Sequence, residues 1–277
     1  MQTIKKLGVL ISVNLLLITT HLNAQELVKE TPAGKAFTIS KTYTNSNIDG
    51  YNLYIPNSYH TTKKAFPAIV FLQGGLGAGG KTDIIFNWEL PKELIEATAV
   101  TTQLDSLKLT TFIYIMPHIS RGEFYTNEEA IKSILEEVTN KYRIDKTRIY
   151  LTGLSRGGHG TWGLASRIPG IFAAIAPIAG ASHGINSYEH LTKIPILTAH
   201  NKQDRVVNYA RTLNSVQQIE QRTNKKFQVA NTISEIEFKN NRLIFISGED
   251  PNKGHNAWTE VYNNLNFYKW LLQFKLE

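Results

Sequence analysis

A serine framed by glycines is the residue of this chain best equipped to do chemistry. Ser155 stands within Leu151-Thr-Gly-Leu-Ser-Arg-Gly-Gly-His-Gly-Thr161, the G-x-S-x-G pattern that turns a strand sharply into a helix and exposes a nucleophile at the apex. So tight a turn forces the nucleophile into a strained backbone conformation, and side chains at Gly153 or Gly157 would collide with neighbouring chain or with substrate. The flanks fit that context. Residues 148–152 are a short apolar, strand-like run, and residues 158–167 read as the start of a helix.

A serine hydroxyl is a poor nucleophile at neutral pH. It needs a base within hydrogen-bond reach and an acid that fixes the base in the right tautomer. With a strand-to-helix elbow the order along the chain is serine, acid, histidine, which filters the eight histidines severely. Five follow Ser155: His159, His183, His190, His200 and His255. The aspartates after Ser155 are Asp204 and Asp250. With Asp204 as acid, His255 is the base, on a loop after the apolar run 242–247. Asp250 is the rival acid, but it shares that loop with His255 and fits a three-strand geometry less well. His159, one helical turn from Ser155, is read as a structural hydrogen-bonding residue.

The oxyanion of a tetrahedral intermediate requires two preset backbone N–H donors. Arg156, directly after the nucleophile, supplies one through its main chain. Gly75 or Leu76, in the glycine-rich loop after the run 67–72, supplies the other. On a strict count Gly75 to Thr82 also fits G-x-x-x-x-G-K-T, so a phosphate-binding loop is the competing reading of this segment. It accounts for one loop where the serine, acid and histidine account for three. Trp88, His118, Phe124 and Trp258 are candidates to line a substrate pocket, and Trp162 is assigned to the core.

These groups must be carried by regular elements. Eight apolar or alternating runs, at 37–43, 51–55, 67–72, 111–116, 148–152, 172–179, 194–199 and 242–247, read as strands. Several are apolar at every position, as expected of strands covered on both faces. Helical periodicity occupies 127–142, with a capping box at Thr126 and Glu129, then 208–221 and 258–274. The first two strands read as a hairpin. The expected fold is therefore α/β, a mostly parallel eight-stranded sheet with helices on both faces. In the polar stretch 221–241, residues 235–239 read as a small extra strand or an exposed loop.

Residues 1–24 carry Lys5 and Lys6, an apolar stretch from Leu7 to Ile18 and an Ala24 cleavage position, the organisation of an export signal. The apolar run is short of the ~20 residues of a membrane span. Residues 25–277 are then one catalytic domain, a size that suits a single large α/β unit. With no cysteine in the chain, lipoprotein anchoring and disulfides are excluded, and a secreted or periplasmic bacterial protein is expected. The net charge of +7 falls by the two charges of Lys5 and Lys6, and its dispersed remainder argues against a nucleic-acid surface. Nothing in the sequence calls for a metal or other cofactor.

Ile149-Tyr-Leu-Thr-Gly-Leu-Ser155-Arg-Gly-Gly158, with Gly160-Thr-Trp162, Phe172-Ala-Ala-Ile-Ala-Pro177-Ile-Ala-Gly180 and Gly254-His255-x-x-Trp258-Thr, resembles the α/β-hydrolase group of predicted peptidases and of esterase D or polyhydroxybutyrate-depolymerase-like esterases. Secreted feruloyl and acetylxylan esterases are similar. The likeness runs from about Phe66 to Leu272. It implies Ser155 as nucleophile, Asp204 as acid and His255 as base, acting on a small-molecule or polysaccharide ester. The family usually has His-Gly where this chain has Gln73-Gly74, which puts the support of the oxyanion loop in question. A peptidase on the same triad and a phosphate- or carbohydrate-binding protein without catalysis are the alternatives.

Overall fold

The computed structural model describes residues 25–277; the export-signal assignment lies outside the described residues. Ten strands form one sheet: β1 (Gln25–Glu30), β2 (Gly34–Ser40), β3 (Ile48–Pro56), β4 (Phe66–Leu72), β5 (Ile113–Ile119), β6 (Ile144–Leu154), β7 (Ala174–Ile178), β8 (Ile196–Asn201), β9 (Gln228–Ala230) and β10 (Leu243–Gly248). Their order is β1-β2-β3-β5-β4-β6-β7-β8-β10-β9. The pairs from β5 to β9 across that order are parallel, whereas β1, β2 and β3 join antiparallel at one edge.

All eight expected strands are present. The count rises to ten because both edges carry one more. The polar segment 221–241 contributes its strand at Gln228–Ala230 and not at 235–239, where a tight helical turn, Ile233–Glu235, turns Ile236 and Phe238 into the core.

Nine helices complete the described fold: α1 (Ser58–Thr61), α2 (Glu89–Glu96), α3 (Gln103–Thr110), α4 (Glu128–Lys141), α5 (Arg156–Arg167), α6 (Tyr188–Leu191), α7 (Tyr209–Thr223), α8 (Trp258–Tyr262) and α9 (Leu265–Leu272). The strict alternation of strand side chains divides the interior in two. Ile69 and Phe71 of β4 pack with Leu90, Leu94, Leu109 and Trp270 on the face covered by α2, α3 and α9. Ala68, Val70 and Leu72 pack with Ile131, Ile134, Trp162 and Val216 on the face covered by α4, α5 and α7. Each such fully buried large side chain contributes about 1.5–3 kcal/mol from removal of apolar surface from water.

Two helix ends differ from expectation. The capping box at α4 is not made, because the Thr126 hydroxyl donates to the Glu123 carbonyl and Asn127 occupies the cap position. The stretch 258–274 is two helices, since Asn264 caps a new one by accepting from the Asn266 amide. Among the described residues no helix is long and apolar enough to cross a membrane.

Candidate active site

β6 runs straight into α5 through Ser155, whose φ of 53° and ψ of −116° hold a non-glycine residue in a sparsely populated region at a cost of about 1–3 kcal/mol. The flanking glycines answer to close backbone approach. A Cβ on Gly157 would lie 1.9 Å from the Leu72 carbonyl oxygen, and one on Gly153 would lie 2.6 Å from the Gly157 carbonyl oxygen. The Ser155 amide donates to the Ile178 carbonyl at 2.9 Å, which ties the turn to β7.

Two loops, those of His255 and Asp204, bring their side chains to the Ser155 turn. His255 Nε2 is 2.9 Å from Ser155 Oγ, and His255 Nδ1 is 2.6 Å from Asp204 Oδ2. A carboxylate only accepts, so Nδ1 carries the hydrogen and Nε2 presents its lone pair to the hydroxyl. Asp204 has no exposed side-chain surface. Burial pushes its pKa up, but hydrogen bonds from His200, the Val207 amide, His255 and the Val206 amide outweigh burial and hold the carboxyl well below the usual range. Its Oδ1 accepts from both amides, at 3.0 and 2.8 Å, and its Oδ2 from both imidazoles. Asp250 is exposed and accepts from the Asn252 amide in its own turn. The His255 loop is fastened to the end of β8 by Asn201 Nδ2, which donates to the Gly254 and Asn256 carbonyls at 2.9 and 3.2 Å.

Gly75 and Leu76 lie in a tight helical turn, Gly75–Gly77, and line a cavity together with Ser155 and His255. The first amides of any helical turn lack a partner within it, which applies to Gly75 and Leu76 here and to Arg156 at the start of α5. The usual histidine before this turn is replaced by a buried Gln73, whose Nε2 donates to the carbonyls of Gly77 at 2.6 Å and Ile119 at 3.2 Å. The glutamine therefore supplies the support that the sequence left in question. The competing phosphate-loop arrangement is not formed: the turn at Gly75 borders Ser155, and Thr82 is buried with its hydroxyl directed to the Asp49 carbonyl.

The four pocket candidates divide evenly. Trp88 and Trp258 line the cavity, and Trp258 packs its ring edge-to-face on His255 with centroids 5.2 Å apart. His118 does not reach it. It lies within β5, fully buried, with Nδ1 on Asp49 Oδ1 and Nε2 3.1 Å from the Gly77 carbonyl, so it braces the Gly75–Gly77 turn from behind. Phe124 is also fully buried, packed where a Cβ on Gly160 would come within 2.7 Å. Trp162 is in the core as expected. His159 departs from its expected role, since among the described residues neither ring nitrogen has a hydrogen-bond partner, the nearest carboxylate oxygen, of Glu123, lying 3.9 Å from Nδ1. Burial, reinforced by His183 and His255, lowers its pKa to about 4.

His200 was not anticipated as part of this assembly. Its Nε2 is 3.0 Å from Asp204 Oδ2 and its Nδ1 is 2.8 Å from the Thr212 hydroxyl. Its spacing of four from Asp204 at the end of a strand was the available clue; Asn201, bonded to residues far along the chain, had none. Among the described residues no cluster of three or more His, Cys, Asp or Glu is arranged to hold a metal.

Ten strands, the sharp turn at the end of β6 and a cavity beside it make up this architecture, and solved structures share its overall fold. A thermostable esterase superposes with a TM-score of 0.64 at 21% identity, over 88% of this chain and 63% of that one. The chain has the α/β-hydrolase fold. A feruloyl esterase module from Clostridium thermocellum, solved with sinapinate, gives a TM-score of 0.60 at 17% identity over 86% of this chain and 88% of that one. In sequence, 80 residues are 34% identical to the bifunctional acetylxylan esterase/xylanase XynS20E of Neocallimastix patriciarum, 28% of this chain and 12% of that protein. The match thus spans about an eighth of the relative's length. No family model matches the chain. Within the α/β-hydrolase fold, Ser155 occupies the turn between β6 and α5, Asp204 follows β8 and His255 follows β10.

Proposed function

We propose that this chain is a serine hydrolase of carboxylic esters acting through an acyl-enzyme, with Ser155, His255 and Asp204 as its triad. The reading rests on one observation above the others, the continuous contact from the Asp204 carboxylate through His255 to the Ser155 hydroxyl at 2.6 and 2.9 Å. Ser155 Oγ attacks the ester carbonyl as His255 Nε2 takes its proton. Asp204 stabilises the resulting imidazolium without itself being protonated, consistent with its depressed pKa. The amides of Arg156 and of Gly75 or Leu76 receive the oxyanion. His255 then protonates the leaving alcohol, and water, deprotonated by the same imidazole, releases the acid.

The likenesses to a feruloyl esterase module and an acetylxylan esterase/xylanase favour esters on plant polysaccharide, with feruloyl or acetyl groups, as the substrate class. The organisation of residues 1–24 favours export, and residues 25–277 act as the catalytic domain. Labelling with a fluorophosphonate tests the reading: covalent modification at Ser155 that is lost in Ser155→Ala is expected, and an unlabelled Ser155 in folded protein contradicts it. Turnover of methyl ferulate or acetylated xylan then distinguishes the two acyl groups.

A further inference from the structure

His118 is wholly buried, and both of its ring nitrogens meet groups that only accept. Nδ1 lies on Asp49 Oδ1, and Nε2 is 3.1 Å from the Gly77 carbonyl oxygen. A neutral imidazole carries one hydrogen, so it serves one of these partners and turns a lone pair on the other. Two hydrogens satisfy both, and the ring is then an imidazolium whose charge Asp49 balances. The Asp49 side chain is 40% exposed, so water solvates its carboxylate from outside, which favours this charged arrangement over a carboxylic acid beside a neutral ring. From β3 the ring faces Asp49, from the end of β4 the uncharged Gln73 amide, which shares the Gly77 carbonyl at 2.6 Å, and from the turn that carbonyl itself. Among the described residues Asp49 is the one acidic group within ion-pair distance of the ring.

The strand is distorted where Asp49 meets the ring. Ile48 pairs with Ile119 and Gly50 with His118, so Asp49 is an extra residue on β3, a bulge of the kind that re-aims a side chain. Gly50 follows at φ 148°, where a Cβ would lie 2.2 Å from the Ile39 carbonyl oxygen. From the ring a continuous chain of peptide units leads to the cavity. The Gly77 carbonyl shares its unit with the Ala78 N–H, which donates to the Gly75 carbonyl at 3.1 Å. That carbonyl shares its unit with the Leu76 N–H, in the turn that lines the cavity with Ser155. Each donor polarises the next, so a cation at one end strengthens the amide at the other. The Gly75 N–H shares its unit with the Gly74 carbonyl, which accepts from the Gly77 N–H at 3.3 Å, a step that does not reach His118.

We propose that Asp49 and His118 form a buried carboxylate–imidazolium pair whose charge fixes the Gly75–Gly77 turn and strengthens the Leu76 amide as an oxyanion donor. This rests on ester hydrolysis at Ser155 and adds two positioning residues to it. Neither lines the cavity; both act through the turn.

Nitrogen NMR of the full chain, isotope-labelled at its histidine rings, reads the protonation directly. At about pH 7.5, where an unperturbed histidine is mostly neutral, His118 should show two protonated ring nitrogens, its signals assigned by their loss in His118→Gln. If that variant fails to fold, Asp49→Asn, altered at a side chain partly in solvent, assigns them by displacement. A single protonated nitrogen overturns the inference. Kinetics on p-nitrophenyl acetate gives a second readout. Asp49→Asn removes the counter-charge, so relative to the unmodified protein its kcat should fall by about tenfold or more as pH rises from about 7 to about 9. KM should stay within about threefold, and acidification should restore the rate. A kcat ratio between the two proteins that is constant over this range shows a merely structural pair and overturns the inference equally. Fluorophosphonate labelling separates the two levels: a labelled Ser155 with a singly protonated His118 ends this inference alone, whereas an unlabelled Ser155 in folded protein removes the hydrolase reading beneath it.

Discussion

Asp204 does more than hold one histidine. Its two oxygens take two amides and two imidazoles, so every strong acceptor position is filled and the carboxylate has no reason to seek water or a proton. Ser155→Ala or His255→Ala should lower kcat by about 10⁶, and Asp204→Ala by somewhat less, about 10⁴, when the three act as a unit. Steady-state kinetics on an activated ester checks both figures. His200→Phe should slow turnover by roughly 10- to 100-fold, the scale on which loss of an orienting partner acts, with KM little changed. Unaltered kcat in that variant would show that the two amides and His255 suffice to orient Asp204. The contact of Ser155, His255 and Asp204 was legible in the sequence because chain order and residue type leave few choices among them. His200, Gln73 and Asn201 act through neighbours, and their side-chain directions depend on contacts that no local pattern encodes.

The elements position this chemistry through close backbone approach. Gly157→Ala would set a methyl group 1.9 Å from the Leu72 carbonyl oxygen, far inside contact distance, so β4 and α5 must separate. A loss of more than about 3 kcal/mol in unfolding free energy is expected, at the severe end of single substitutions, and denaturant melting measures it. The Gly75–Gly77 turn, proposed to hold the oxyanion, depends on Gln73 and His118, which meet at the Gly77 carbonyl. Gln73→Leu should depress kcat by about 10- to 100-fold with a smaller change in KM, since displaced oxyanion donors are felt in the transition state.

The eight strands recognised in the sequence carry apolar or alternating runs, most of them buried on both faces. The two that were missed lie at the edges: Gln25–Glu30 is largely exposed and Gln228–Ala230 is three residues long, so neither shows the periodicity that marks a strand. His118 was read into the pocket for a related reason. The apolar run in the sequence ends at Met116, but β5 continues through Pro117 and His118 to Ile119, all buried, and the pleat sends His118 inward beneath the turn and away from the cavity.

For the whole molecule, the consequence of so polar a site set into one sheet is a pH-dependent stability. His159 is buried neutral, and its pKa falls from 6.5 to about 4 in the folded chain. Between those values the unfolded chain binds a proton that the folded chain does not, so the stability contributed at neutral pH is lost as pH falls from about 6.5 toward 4, with a slope of up to about 1.4 kcal/mol per pH unit. His159→Phe should flatten the profile over that window, and equilibrium unfolding of both proteins at pH 7 and pH 4.5 measures the difference. Equal slopes in the two proteins would contradict the assignment. The broad architecture was legible from composition and periodicity alone, because uninterrupted apolar strands alternating with amphipathic helices admit few packings other than a parallel sheet covered on both faces.

Mass analysis of the intact chain during the first turnover of p-nitrophenyl acetate bears most directly on whether Ser155 is a working nucleophile. A burst of one nitrophenolate per chain, accompanied by an acetyl group mapped to Ser155 and absent from Ser155→Ala, is the predicted result. Release of nitrophenolate without any acylated Ser155, or at the same rate in Ser155→Ala, would contradict it.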